Sequence, residues 1–425
     1  MTAPDPDSFS SKSTARKNSQ SSFSALRHRD FRLLWMGQIV SVTGSQMQAV
    51  AINWHVYLLT KSAFALGLVG LFKGVPIVLC SLMGGVVADA MDRRRLMIAT
   101  QTVMLISAAA LALATLAGLQ SVWPIYLLTA AASGATAFDI PARQALMPTL
   151  VPAKDFPNAV SLGLMVFNVA MIVGPAIGGF LLASHGPAAV YGLNAFSFVA
   201  VIAALVAMRT SGRTSEQTEQ ANRVSYAALK EGLAFVWRTP VIVQTMTLDF
   251  AATFFASATA LLPIFAAEIL EVGARGVGFL AAAPAVGSVL TALLIARNGG
   301  FRRQGRVVIW SVAIFGLATV AFGMSRVFWF SLLMLAVTGA ADTVSTVLRQ
   351  TIRQLATPNY LRGRMTSINM VFFMGGPQLG ELEAGVVASL IGAPLSVVIG
   401  GLGSLFSAGV AAAKAKALLN YDSSD

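Results

Sequence analysis

The chain has 425 residues, 56% hydrophobic and 11% charged, with a mean hydropathy of +0.71; a soluble domain carries about 25% charged residues, so a water-facing surface is excluded. The net charge is +12, but the basic residues sit in short gaps between apolar runs, which reads as membrane topology and not as nucleic-acid binding. The single cysteine, Cys80, excludes a disulfide framework, and His28, His55 and His185 form no ligand motif, so no metal and no other cofactor is expected.

Residues 1–24 are rich in Ser, Asp and Lys and lack an apolar core ahead of a cleavage site, so they read as a disordered cytoplasmic tail. A hydrocarbon core about 30 Å thick takes about 20 apolar residues in a helix. Runs of that kind are expected at 33–59, 64–90, 96–119, 123–147, 157–183 and 187–209, and again at 241–268, 274–297, 306–325, 328–350, 364–391 and 393–417. The expected architecture is all-α: a half at 25–209, a cytoplasmic linker at 210–240, a half at 241–418 and a short tail at 419–425. In the linker, Tyr226, Leu229, Leu233 and Val236 recur at helical spacing and predict an amphipathic helix over 225–238 on the inner face.

Lysines and arginines test this count. With both termini cytoplasmic, 26 fall on inner segments, three (Lys61, Arg275, Arg326) on outer ones, and Lys73 inside a span. An offset of 206 residues places Arg143-Gln144 on Arg349-Gln350 and Pro152 on Pro358, the pattern of parallel repeats with a substrate site between them.

Charges within spans are costly, about 2.5–3.5 kcal/mol each at mid-bilayer, and need reasons. Asp139 and Arg143 are one turn apart and read either as a relay or as a structural ion pair. Asp249 lies about 12 Å into its span by helical rise, and any partner must come from another helix; a desolvated carboxylate there suits proton coupling or a hydrogen-bonded structural role. Glu381 and Glu383 point apart on a regular helix, and the nearby Gly375-Gly376-Pro377 favours Glu381 as a second coupling candidate. Asp342 is expected to pair with Arg349, seven residues on. Lys73 faces either an acid of the other half or an anionic substrate. Gln38, Ser41, Ser45 and Gln48 form a polar stripe that reads as cavity lining or as interhelical hydrogen bonding. Phe138, Phe250 and Phe254 are candidates to complete an amphipathic pocket.

After the second span comes Gly85-Val-Val-Ala-Asp89-Ala-Met-Asp92-Arg93-Arg94-Arg95, which resembles the signature loop of the major facilitator superfamily, with Ala90 and Asp92 departing from its pattern. The fifth span carries Gly174-Pro175-Ala-Ile-Gly178-Gly179, similar to the family's antiporter motif, which also suits close helix packing. The stretches Phe138-Asp139-Ile-Pro141-Ala-Arg143-Gln144, Leu248-Asp249-Phe250 and Gly376-Pro-Gln-Leu-Gly380-Glu381-Leu-Glu383 look like the bacterial drug:proton antiporter branch that includes the enterobactin exporter. The resemblance covers roughly residues 24–415. It implies twelve transmembrane helices in two pseudo-symmetric six-helix halves of a major facilitator fold, and a cytoplasmic latch at Gly85, Asp89, Arg93, Arg94 and Arg143. It further implies a monomer in the bacterial inner membrane that moves a small-molecule substrate against protons and is not an enzyme. A proton-linked importer and a non-transporting receptor on the same fold are the competing expectations.

Overall fold

The structure, a computed structural model, describes residues 23–118, 120–210, 234–298, 303–358, 361–419 and 421, with the backbone alone at 82–86, 88–90, 258, 362–364, 366–368 and 370–374. The described residues are almost entirely helical: α1 (Arg29–Thr60), α2 (Ala63–Ala90), α3 (Arg93–Leu116), α4 (Trp123–Leu150), α5 (Phe156–Ala207), α6 (Pro240–Phe255), α7 (Gly273–Asn298), α8 (Gln304–Met324), α9 (Phe328–Ala356), α10 (Arg362–Ile391) and α11 (Ala393–Lys414). Between α6 and α7 the chain winds through tight and wide turns over 258–269. Of the predicted linker helix, 234–238 is helical, and 211–233 lies outside the described residues, as do both tails up to residue 22 and from 422.

Eight helices among the described residues are long and apolar enough to cross a membrane. Helices α1, α4 and α10 have the length but are diluted by polar residues, the glutamine stripe in α1 and Asp139-Arg143 in α4 among them. The expected spans at 157–183 and 187–209 form one 52-residue helix broken at a single point, Gly186, with φ 74° and ψ −178°. Glycine takes that conformation without a Cβ penalty, and Pro187 then opens the following turn without a hydrogen-bond donor.

Local chemistry sets the ends. Ser62 caps α2 by accepting from the Ala65 amide, and Asp92 caps α3 by accepting from Arg95. At the start of α5, His28 Nε2 stands 2.9 Å from Asp155, and this contact holds the Asp155 carboxyl below its ordinary range.

Two ends of the bundle differ. At the end carrying Lys61, Arg275 and Arg326, one hydrophobic core draws on α1–α5, the 258–270 segment and α7–α11 together. At the Arg-rich end the cores are separate. One lies wholly within residues 25–208, another wholly within 248–418. Close backbone approaches join the two groups of helices near the shared core. A Cβ on Gly179 would lie 2.9 Å from the Gly278 Cα, and one on Gly67 2.9 Å from the Gly385 Cα. Tyr57 donates to Glu268 at 2.7 Å across the same end, with Lys61 over the Tyr57 ring.

Candidate functional site

Helix α9 presents Asp342, Thr346, Arg349 and Arg353 at spacings of three and four, which puts them on one face. That face meets Asp249 of α6. Arg349 is 1% exposed and Asp249 5%, so both charges are desolvated and must be paired. Arg349 Nη2 lies 2.7 Å from Asp249 Oδ1 and 3.7 Å from Asp342 Oδ1, and donates to Thr346 at 3.0 Å. Arg353 Nη1 stands 3.7 Å from Asp249 Oδ2 and donates to Asn369 of α10 at 2.5 Å. Asp249 is therefore not a lone carboxylate: its partner does come from another helix, and there are two of them. Arg349, expected on Asp342, lies closer to Asp249, because α6 packs directly on that face.

Asp342 leaves the buried network on one side. Its side chain is 48% exposed, and it borders a cavity of about 330 Å³. The walls come from α5 (Phe167, Asn168, Met171), α6 (Thr253), the turn after it (Ser257), α7 (Pro284, Ser288), α8 (Phe315, Thr319), α9 (Thr338, Asp342) and Pro377 of α10. A volume near 300 Å³ is at the lower end for small-molecule sites.

The residues expected to line a cavity stand elsewhere. Gln48 accepts from Asn194 of α5 at 2.7 Å, and Gln38 accepts from Arg143. Ser41 is buried and Ser45 half-buried on the same helix. The α1 stripe therefore binds helices to one another, since α5 packs along it. Phe250 and Phe254 stack with centroids 5.8 Å apart, and Phe138 packs against the core within 25–208. None of these, nor Lys73, borders the cavity at Asp342.

Of the two readings of Asp139 and Arg143, the direct ion pair does not form. Asp139 accepts from Thr100 and Gln101 of α3, each at 3.0 Å, while Arg143 turns to Gln38 of α1. One helical turn allows the pair, but α3 and α1 offer each side chain a partner across the contact. Of the latch residues, Arg93 donates to the Ala145 carbonyl at 2.9 Å and Arg94 to the Val206 carbonyl at 2.8 Å. Both bonds stay within residues 25–209, so among the described residues neither arginine is seen to tie the two groups of helices together. At Gly85 and Asp89 the backbone alone is described, and it is helical within α2.

Glu381 accepts from Thr259 at 3.2 Å and lies against Gly70 of α2. Glu383 is half-buried two residues on. The glycine–proline stretch of α5 lies at helix contacts. Gly174 and Gly178 abut Gln46 and Met47 of α1, and Pro175 and Gly179 meet Gly278 of α7. Sequence reasoning counted Arg353 only as a topology charge. Its place four residues after Arg349, on the same helical face, was the signal that it joins the network. Among the described residues no cluster of His, Cys, Asp and Glu could hold a metal ion.

The sequence matches the family described as transmembrane secretion effector over residues 20–425. It is 24% identical over 378 residues to the enterobactin exporter EntS of Shigella boydii serotype 18 (strain CDC 3083-94 / BS512), covering 89% of this chain and 90% of that one. The fold is similar to a POT family transporter solved with a thioalcohol-conjugated peptide, with a TM-score of 0.71, 11% identity and 92% and 96% of the two chains covered. It is also similar to a bacterial homologue of the human lysosomal transporter Spinster in an inward-facing, unoccupied conformation, with a TM-score of 0.69, 16% identity and 92% and 95% covered.

Proposed function

The chain belongs to the transmembrane secretion effector family, membrane transporters of the major facilitator fold, and from that premise we propose that it exports a small amphipathic molecule in exchange for protons. The export direction rests on the similarity to an enterobactin exporter. We take α1, α4, α10 and the two arms of α5 as crossings beside the other apolar helices, which makes twelve. They form halves at 25–209 and 241–418, with the Arg-rich end in the cytoplasm. The shared core then closes the outer side, and the separate inner cores leave an inward-open state.

The observation that carries the coupling is the buried Asp249–Arg349 pair beside the cavity. In this conformation Asp249 is the counter-ion of Arg349 and Arg353, so it takes up a proton only when α6 and α9 move and the pair parts. Re-forming the pair expels that proton toward the open cytoplasmic side. Protonation and conformation are thereby linked, because each changes the free energy of the other. Among the described residues Asp139 is held by Thr100 and Gln101 and by no counter-ion, and Glu381 and Glu383 lie off the cavity wall, so they rank behind Asp249.

The test is transport in vesicles with an imposed proton gradient. The wild-type protein is expected to move substrate opposite to protons. Asp249→Asn should abolish gradient-driven flux, and the double variant Asp249→Asn/Arg349→Gln, with the charges removed together, should fold yet stay uncoupled. Wild-type gradient dependence in either variant removes Asp249 from the mechanism, and co-movement with protons removes the export reading.

A further inference from the structure

The cavity wall is rich in hydroxyls whose protons are engaged by the protein. It carries six hydroxyls, and each one donates its proton to a group of the protein. Thr253 donates to the Asp249 carbonyl at 2.9 Å, Ser257 to the Pro377 carbonyl at 3.1 Å and Thr259 to the Glu381 carboxylate at 3.2 Å. Ser288 donates to the Gly339 carbonyl at 3.0 Å, Thr319 to the Phe315 carbonyl at 2.9 Å and Thr338 to the Leu335 carbonyl at 2.6 Å. A hydroxyl has one proton and two lone pairs, so while it donates to the protein each of the six turns its acceptor side to a ligand. The charged side chain on the wall is the Asp342 carboxylate, which adds further acceptors. Its Oδ1 faces Arg349 at 3.7 Å and Thr346 at 3.4 Å, and its Oδ2 makes no hydrogen bond to a described residue. Among the described residues no lysine or arginine borders the space, and Asn168 holds the one side-chain amide on the wall. The rings of Phe167 and Phe315 complete the wall with apolar and π surface.

An acceptor-rich wall that carries a carboxylate disfavours carboxylates and catecholates, which bring acceptors and negative charge of their own. It suits a cation with N–H donors. We propose that this cavity binds a protonated amine carried on an aromatic or apolar body, its ammonium at Asp342 and its N–H groups directed to the Thr338 and Ser288 oxygens. Thr338 is one turn before Asp342, and Ser288 is held to Gly339 between them, so the three side chains border the same stretch of the cavity along α9. An aromatic body gains further from Phe167 and Phe315, whose faces attract cations. The inference deepens the transport reading by naming the cargo class, but it is tested by binding alone.

Equilibrium binding to the purified full chain in detergent separates the chemistries. The probes are propranolol, its naphthyl diol ether without the amine, 1-naphthoxyacetate and tetraphenylphosphonium, the last a cation without N–H donors. Propranolol is expected to bind saturably and at least about tenfold more tightly than each of the other three. Asp342→Asn should weaken it about tenfold or more, and Thr338→Val, which keeps the side-chain shape, by about 2–10-fold, the worth of one hydrogen bond. No saturable binding by propranolol, a naphthoxyacetate affinity matching it, or wild-type affinity in both variants overturns the proposal. So does competitive displacement when KCl is replaced by NaCl, which would make the site one for an inorganic cation. Amine binding without proton-driven flux would retain this site and sink the coupling, and the reverse result would sink the site and retain the coupling.

Discussion

Two arginines at equivalent places carry different partners. The 206-residue offset relates Arg143 to Arg349; the first bonds the neutral amide of Gln38 on α1, the second the carboxylate of Asp249 on α6. Removing one member of a buried ion pair leaves an uncompensated charge and costs about 3–5 kcal/mol. Removing a charged hydrogen-bond donor from a neutral acceptor costs about 1.5–3 kcal/mol. Arg349→Met is therefore expected to destabilise the protein more than Arg143→Met, read as the denaturation midpoint in detergent. Equal losses would mean that Asp249 finds Arg353 sufficient. The candidacy of Asp249 was legible in the sequence, since a lone acid within an apolar run demands a reason. Its partner was not, because Asp342 and Asp249 are both within reach of an arginine on α9 and only the azimuth of α6 chooses.

Among elements, small residues decide which helices touch. The expected role of the Gly174–Gly179 stretch in packing was one of two open readings, and its glycines lie where α5 meets α1 and α7. A Cβ on Gly278 would stand 2.4 Å from the Pro175 carbonyl oxygen, while one on Gly192, also in a helix interior, meets nothing within 4 Å. Overpacking a tight contact costs about 1–3 kcal/mol, while an open site costs little more than the change in helix propensity. Gly278→Val should lower thermal stability well below Gly192→Val. A similar midpoint for the two would show that the α5–α7 seam yields. The sequence offered glycines in every expected span but 241–268, and spacing alone did not say which of them face a neighbour's backbone.

For the whole molecule, the shared core and the Tyr57–Glu268 bond hold one end shut while the Arg-rich end has two independent cores. A hydrogen bond to a charged group is worth about 1.5–3 kcal/mol, enough to shift a two-state equilibrium by tenfold or more. Tyr57→Phe should therefore populate the state open at that end. Spin labels on Lys61 and Arg275 should gain a longer distance, and labels on Thr149 and Leu355 a shorter one. Unchanged distributions at both pairs would place the closing energy in the apolar core instead. Composition and the placement of thirty basic residues determined the membrane class, the helical runs and the expected sidedness, because each depends on residues near in sequence. Tertiary structure alone decided that Arg349 serves Asp249, that Asp139 turns to α3, that the α1 stripe seals a helix contact and that the cavity lies at Asp342. Those outcomes depend on how helices far apart in sequence are rotated against one another, and no local pattern encodes that rotation.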